Sequence, residues 1–539
     1  MTQPASRLLI IGLDGATLDV VQPLAAAGQL PHLADLMSRG AWGTLLSTIP
    51  PITAPAWVSF MTGKNPGAHG VFDFVRLMPG LPRAAAPIHS FLSIASPTIW
   101  HLLSHQGRRL AVINVPFTSP PFPVNGVLVS GLLVPGPGAN FTYPPELKEE
   151  LRHQAGGFAL DWNVRGVPVG RGRGRWLHSF RLAEQQRHRA ALYLLRTYPW
   201  DCAAVVYTLT DRAQHLYWSP TAAPGSRQFP TEIASAYQLA DAMVGELLAQ
   251  AGPDTTALVL SDHGYGSLTR AFNTNTFLAN LGLLALQPSR RSWGLRRPTV
   301  ARLLSRLGMD ALIPALPAGL RDLRLPLPLP RRQPQIDWHN TQAYAASWGI
   351  RINLAGREPH GTVAPGQEYE RLRDQIIAHL RGLSDPVTGE RAIASAWRRE
   401  ELYHGPFLDQ APDIVFSLAA PDCLQNSHLG RKTLFSPRPG GTHRLQGMFI
   451  VAGPQVAPGP APTAHITDLA PTILHLLGCQ VPGDMEGRVL TGCLRADWLA
   501  RFPLHSTTAA ASAAPGSDSP YSQQQEERLK EHLRALGYL

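Results

Sequence analysis

Cysteine is scarce in this chain of 539 residues: Cys202, Cys423, Cys479 and Cys493 are the only four. They are widely scattered and none falls in a CxxC or similar short spacing, which argues against a zinc ribbon and against a disulfide scaffold. Long apolar runs are also missing. No stretch reaches the roughly 18 apolar residues needed to span a bilayer. Residues 127–135 come nearest, bounded by Gly and Pro. The opening residues, 1–7, are short and polar, and Leu8–Leu13 is too brief for a signal segment before Asp14. The expectation is a soluble cytoplasmic protein. Charged residues are thin at 16%, against 44% hydrophobic, so a core is available and wholesale disorder is excluded. The charge that is present leans one way. A formal net charge of +10 favours anionic partners, whether phosphates, nucleic acid or a membrane surface.

Short apolar runs recur at 8–13, 110–115, 127–133, 203–209, 257–260, 414–418 and 448–452. Each is followed by a turn and a helical pattern, so they read as buried parallel strands. Helices are expected at 235–249 and at 467–477, the latter capped by Thr467. This alternation predicts an α/β fold with a doubly wound, mainly parallel sheet. Residues 1–505 form the expected main domain, with inserted cap segments at about 80–106, 135–195 and 287–400. Residues 287–335 hold Arg290, Arg291, Arg296, Arg297, Arg302 and Arg306 among Leu and Pro, which suits a basic cap over a site. An Ala/Ser/Pro-rich linker at 506–522 leads to a C-terminal helix at 523–539, docked or solvated.

Three acids end three of the expected strands: Asp14 in IIGLDG, Asp211 in VVYTLTDRAQH and Asp262 in LVLSDHG. Ligands of doubly wound sheets bind at the carboxyl ends of strands. Three carboxylates gathered there repel one another unless cations neutralise them. Any one alone reads equally well as a turn residue or a cap. His215, four residues after Asp211 on a helix, shares its face. His263 directly follows Asp262. Such oxygen and nitrogen donors suit zinc or manganese. Nearby hydroxyls, Thr48, Thr53, Ser59 and Thr62, are poor nucleophiles unless a base or metal activates them, and spacing alone does not choose among them.

The segments IGLDGAT, PPITAPAWVSFMTGKNPGAHG, DRAQH, SDHGYG and GTHRLQGMFIVAGP, in this order, resemble the alkaline phosphatase superfamily. The nearest branch is that of type I phosphodiesterases and nucleotide pyrophosphatases, with its bacterial phosphohydrolase and phosphomutase relatives. The resemblance runs from Leu8 to about Leu490. It implies an alkaline-phosphatase-like sheet and two divalent ions, zinc or manganese. One would be held by Asp14, Thr53, Asp262 and His263, the other by Asp211, His215 and His443, with His404 and His428 as neighbouring alternatives to His443. It implies Thr53 as nucleophile and a phospho-threonine intermediate in the cleavage of a phosphodiester or pyrophosphate bond. A phosphomonoesterase, a phosphomutase or a catalytically silent anion-binding protein is the alternative. The family motif T-x-P-N reads Thr53-Ala54-Pro55-Ala56 here, and the position of a phosphate-contacting Asn falls on Phe74.

Other signals are weaker. Thr62-Gly63-Lys64 lacks the upstream Gly of a Walker A loop, although Lys64 is a candidate substrate contact. Residues 170–175, GRGRGR, read as a flexible basic loop, since no nucleic-acid fold accompanies them. Prolines break any long amphipathic helix in the basic insertion, so a membrane surface is not favoured as partner. A small phosphorylated substrate is expected.

Overall fold

The computed structural model describes residues 7–78, 85–161, 172–218, 229–287, 292–296, 335–507 and 519–536, with short pieces between 300 and 331. Most of the arginine-rich insertion, part of the GRGRGR stretch and most of the expected linker therefore lie outside the described residues.

A ten-stranded sheet organises the chain. Its order is Gly459–Pro460, Ala41–Leu46, Gln446–Ala452, Thr256–Leu260, Leu8–Leu13, Cys202–Tyr207, Leu110–Val115, Gly126–Ser130 and Thr142–Tyr143, with Ala464–His465 also paired to Ala41–Leu46. The five strands from Thr256–Leu260 to Gly126–Ser130 are mutually parallel. Alternation explains their apolar runs. Leu8 and Ile10 pack into one core cluster, Leu9, Ile11 and Leu13 into another. Successive side chains point to opposite faces, so a strand covered on both faces must be apolar throughout. Helices Thr53–Thr62, Ile99–His105 and Leu469–Leu476 cover the first face. Helices Leu18–Ala26, Pro31–Arg39, Gly172–Thr197 and Thr231–Ala251 cover the second.

Two of the expected parallel strands differ. Gln446–Ala452 runs antiparallel to both of its neighbours. Ile414–Leu418 belongs to a separate antiparallel sheet of order Ala343–Ala346, Gly349–Ile352, Ile414–Leu418 and Ile393–Arg398. An apolar run records burial and not the direction of the partner strand. Thr467 is not a cap either. It lies inside a 3-10 turn, Ile466–Asp468, and the Asp468 carboxylate accepts the His465 N–H at 2.8 Å.

The smaller sheet carries helix Gln367–Arg381, whose Leu372, Ile376 and Leu380 pack with Ile350, Ile352, Ile414 and Phe416. Asp413 is buried beneath it. Its carboxylate accepts from both Arg357 Nη atoms at 2.6 and 2.7 Å, from Tyr369 Oη at 2.7 Å and from the Ile352 N–H at 2.7 Å. A three-stranded sheet, Cys423–Asn426, Gly264–Asn273 and Phe435–Arg444, connects to the main one through the turn after Thr256–Leu260. The C-terminal helix Gln523–Leu536 is docked: Tyr521, Leu529 and Leu533 join the first core cluster, and Tyr521 Oη donates to the Leu133 carbonyl at 3.0 Å.

Candidate metal centre

Every acid singled out in the sequence sits at a carboxyl end of the main sheet. Asp14 directly follows Leu8–Leu13, Asp262 follows Thr256–Leu260, and Asp211 lies in the first turn of helix Leu209–Tyr217 after Cys202–Tyr207. All three are buried. Oδ1 of Asp14 and Oδ2 of Asp262 are buried without a hydrogen-bond partner among the described residues. Gly15 allows this crowding. Its φ is +66°, and a Cβ there would lie 3.1 Å from Asp211 Oδ1. Its N–H donates to Asp262 Oδ1 at 3.2 Å.

Thr53 is the first residue of Thr53–Thr62, every residue of which is buried. Ile52 supplies no side-chain cap, a loss of about 1 kcal/mol. Trp57 and Phe60 are fully buried in the same helix, and a large apolar side chain contributes about 1.5–3 kcal/mol on burial. Packing therefore outweighs the missing cap and fixes where the Thr53 hydroxyl sits. Thr53 Oγ1 lies 3.2 Å from His263 Nε2. The other candidate hydroxyls are turned elsewhere. Thr48 donates to the Pro50 carbonyl at 2.9 Å and Thr62 to the Val58 carbonyl at 2.8 Å. Ser59 Oγ is 2.9 Å from His69 Nε2, but His69 Nδ1 accepts the Val71 N–H at 3.2 Å. Burial, with His89 and Lys64 adding to it, pushes His69 down to about 3. The ring is thus neutral with its proton on Nε2, a donor to Ser59 and not a base for it.

His443 reaches the site from Phe435–Arg444, in register opposite Tyr265. Its Nδ1 is 3.0 Å from the Pro51 carbonyl, and His263 Nδ1 is 3.0 Å from the Gly264 carbonyl. A carbonyl only accepts, so both Nδ1 atoms carry a proton and both Nε2 atoms face inward, that of His263, whose pKa burial lowers, as a lone pair. This is how metal-ligating histidines are oriented. The Thr53 hydroxyl accordingly donates to His263 Nε2.

Two groups of donor atoms gather within 4.8 Å: Asp14, Asp262 and His263, and Asp211, His263 and His443. His215 Nε2 stands 3.0 Å from His443 Nε2 and 3.3 Å from Asp211 Oδ1. His404 is absent from these groups; exposed, it faces Glu486 at 3.2 Å. His428 lines a cavity beside His443. Lys64 Nζ donates to Asp484 at 2.5 Å. The structure thus gives that ammonium a carboxylate partner. Phe74 is buried, its ring 5.9 Å from Phe117.

The electrostatics fit cation binding. Burial raises Asp14 well above the usual carboxylate range, and Asp262 and Asp211 raise it further. Asp262 is pushed up to about 7, by burial first and with Asp211 adding to it. Burial lowers His263 and His215. Burial would also raise Asp211, but His215 and His443 outweigh it and hold it well below the ordinary range. Two raised acids, one ionised acid and histidines lowered by burial form an oxygen and nitrogen donor set that divalent cations satisfy.

Two neighbours escaped the sequence reading. Arg212 is buried, with Nη1 3.4 Å from Asp211 Oδ2. Tyr265 is buried with its hydroxyl unpartnered among the described residues, its ring edge-on to His215 at 5.1 Å between centroids. The period of two along the strand from His263 would have found Tyr265.

A mainly parallel sheet with metal-competent groups at its strand ends is the architecture of the phosphoester hydrolases of the alkaline phosphatase superfamily, and this chain is an enzyme of that class. It belongs to the type I phosphodiesterase / nucleotide pyrophosphatase family, whose model matches residues 8–443. Phosphonoacetate hydrolase from Sinorhizobium meliloti 1021, solved with phosphonoformate, is similar at 17% identity, over 87% of this chain and 95% of its own, with a TM-score of 0.50. Murine ectonucleotide pyrophosphatase / phosphodiesterase 5 is 12% identical over 88% of this chain and 95% of its own, with a TM-score of 0.49. At 17% identity the likeness to the hydrolase concerns the fold alone. No curated protein matches. Among the described residues no helix is long and apolar enough to cross a membrane.

Proposed function

We propose that the chain cleaves a phosphodiester or pyrophosphate bond in a small phosphorylated substrate, with Thr53 as nucleophile. Two divalent ions, zinc or manganese, would be held by Asp14, Asp262, His263 and Thr53, and by Asp211, His215 and His443. The observation that carries this reading is the Thr53 hydroxyl, buried at a helix N-terminus and 3.2 Å from Nε2 of His263, a residue common to both groups. Bound ions would lower the pKa of the attacking hydroxyl and water and neutralise charge on the transferred phosphoryl group.

The chain's own residues do the rest. Helix Thr53–Thr62 holds Oγ1 in place. The first-turn N–H groups of Thr53 and Ala54 have no intrahelical acceptor and suit phosphate oxygens. Oγ1 forms the new bond to phosphorus as the ester oxygen departs on the opposite side, taking up a proton. Water then cleaves the phospho-threonine and restores the hydroxyl. Asp14, Asp211 and Asp262 set the charge of the site, and burial excludes bulk water from it. A phosphate contact by Lys64 would require opening its ion pair with Asp484.

The test is an assay of metal-replete protein on nitrophenyl phosphate and on bis-nitrophenyl phosphate, with elemental analysis alongside. Faster turnover of the diester and close to two ions per chain are expected. Preference for the monoester would favour a phosphomonoesterase or phosphomutase. Absence of bound zinc or manganese after reconstitution would remove the two-ion reading.

A further inference from the structure

A cavity of about 450 Å³ is shared between the metal centre and the smaller sheet. His215 and His443 line it, and so do Ser347, Trp348, His428 and Arg438. Ser347 and Trp348 form the two-residue turn of the hairpin whose strands pair Ala346 with Gly349. Trp348 has a φ of +60°. Such turns favour Asn or Gly at positive φ, and a bulky residue there is strained. Strain of this kind persists where surrounding structure holds it, often at ligand sites. Trp348 is packed against the core cluster that includes Ile52, the residue before Thr53. Ser347 Oγ, at the same tip, is buried with no hydrogen-bond partner among the described residues.

The charge in this cavity is of one sign. The guanidinium of Arg438 makes no ion pair among the described residues. Desolvation lowers its pKa and Arg431 lowers it further. His428 is lowered by desolvation, then by Arg431 and Arg438. No carboxylate contributes to either shift. Elsewhere in the same lobe arginines are matched to acids, Arg357 to Asp413 and Arg373 to Glu370 and Glu400. Arg438 stands on the exposed rim of this cavity, with the exposed Arg431 near it, and neither has a carboxylate partner among the described residues; such a positive rim beside a site for phosphoryl transfer attracts an anionic group.

We propose that this cavity binds a second anionic group of the substrate, one not transferred, through Arg438 with His428 and Arg431 beside it. The inference rests on the proposed phosphoester cleavage and narrows its substrates to those bearing a phosphate or carboxylate remote from the reacting phosphorus. Arg438 is then a specificity-determining residue and does not take part in bond cleavage.

The test compares two diesters with the same leaving group: bis-nitrophenyl phosphate, and the analogue in which one aryl ring carries a carboxylate in place of the nitro group. The readout is the ratio of kcat/KM for the carboxylate diester to that for the neutral one. Arg438→Ala should lower this ratio about tenfold or more, the usual cost of losing a hydrogen bond to a charged group. Arg438→Lys should keep most of it, and Arg438→Glu should lower it beyond the alanine value. A ratio unmoved by all three substitutions overturns the proposal. A second measurement does not need turnover: titration of metal-loaded protein with inorganic pyrophosphate and with inorganic phosphate. Arg438→Ala should weaken pyrophosphate binding about tenfold more than phosphate binding. Equal effects on both anions would overturn the proposal. If the wild-type protein cleaves neither diester, the proposed activity fails, and the titration still decides the anion site.

Discussion

Two regions bury carboxylates in opposite ways. Under the smaller sheet, Asp413 meets four donors, from Arg357 twice, Tyr369 and the Ile352 N–H. Its pKa lies below the ordinary value, because these partners outweigh the effect of burial. At the main sheet, Asp14 and Asp262 are just as buried, yet each leaves an oxygen without a partner and both are raised. The first arrangement is complete in itself and holds a lobe together. The second is incomplete in protein atoms and costs stability unless a cation completes it. Burial alone distinguishes nothing here. The count of donors separates a strut from a candidate binding site.

The largest effect expected concerns the hydroxyl of Thr53, which faces His263. Thr53→Ala should lower kcat on the diester by on the order of a thousandfold or more, while metal content per chain stays near wild type. Thr53→Ser should recover part of the rate. Near wild-type turnover in the alanine variant would mean that another group attacks.

Exchanging the two kinds of acid sharpens the contrast. Asp413→Asn removes the bidentate partner of the partly buried Arg357, which keeps Glu358 at 3.2 Å, and should cost about 2–3 kcal/mol in denaturant unfolding, with metal stoichiometry unchanged in the protein that stays folded. Asp262→Asn should do the reverse: bound metal falls, and the chelated protein is no less stable than chelated wild type. Equal destabilisation by both would erase the distinction.

Acid should reveal the same difference more gently. The folded-state pKa of Asp413 is depressed, so its contribution is present above the unfolded value, 3.8, and is lost as pH falls through the folded value. Below pH 3.8 the wild type should lose stability faster than Asp413→Asn does, in unfolding measured across that range. Parallel curves would place the acid sensitivity elsewhere.

The smallest effect expected is at Tyr265, whose hydroxyl is buried without a partner among the described residues. Tyr265→Phe removes a polar atom that pays for nothing in the metal-free protein, so stability should change by less than about 1 kcal/mol. A loss above that in the chelated protein would show that the hydroxyl has a structural partner.

Much of this was legible in the chain. Strands covered on both faces declare themselves as apolar runs, and an acid within two residues after such a run marks a strand end; Asp14 and Asp262 are therefore readable from local sequence. Asp211 and His215 follow from helical spacing. His443 is different. Its place depends on the pairing of Phe435–Arg444 with Gly264–Asn273, which sets it opposite Tyr265. Local sequence could not separate it from His404 and His428. The hairpin at Ser347 and Trp348 was equally hidden, since AYAA and GIRI are only four residues each. Nor could a run such as Ile414–Leu418 report that it pairs antiparallel in another sheet. Direction and register are properties of two segments, and a single segment records only its burial.

The antiparallel strand Gln446–Ala452 has a consequence for the order of assembly. It separates Ala41–Leu46 from Thr256–Leu260, pairing Leu46 with Gln446 and Leu260 with Phe449. A strand among the first to leave the ribosome thus waits for one of the last. Contacts so distant along the chain close late, because loop closure must precede any gain from pairing. His443 lies three residues before that strand, so the last donor of the candidate site arrives with the segment that joins the two parts of the sheet. A nascent chain that stops short of residue 443 carries Asp14, Thr53, Asp211 and Asp262 without His443. The candidate centre is thereby completed only with the sheet, and incomplete chains lack one of its donors.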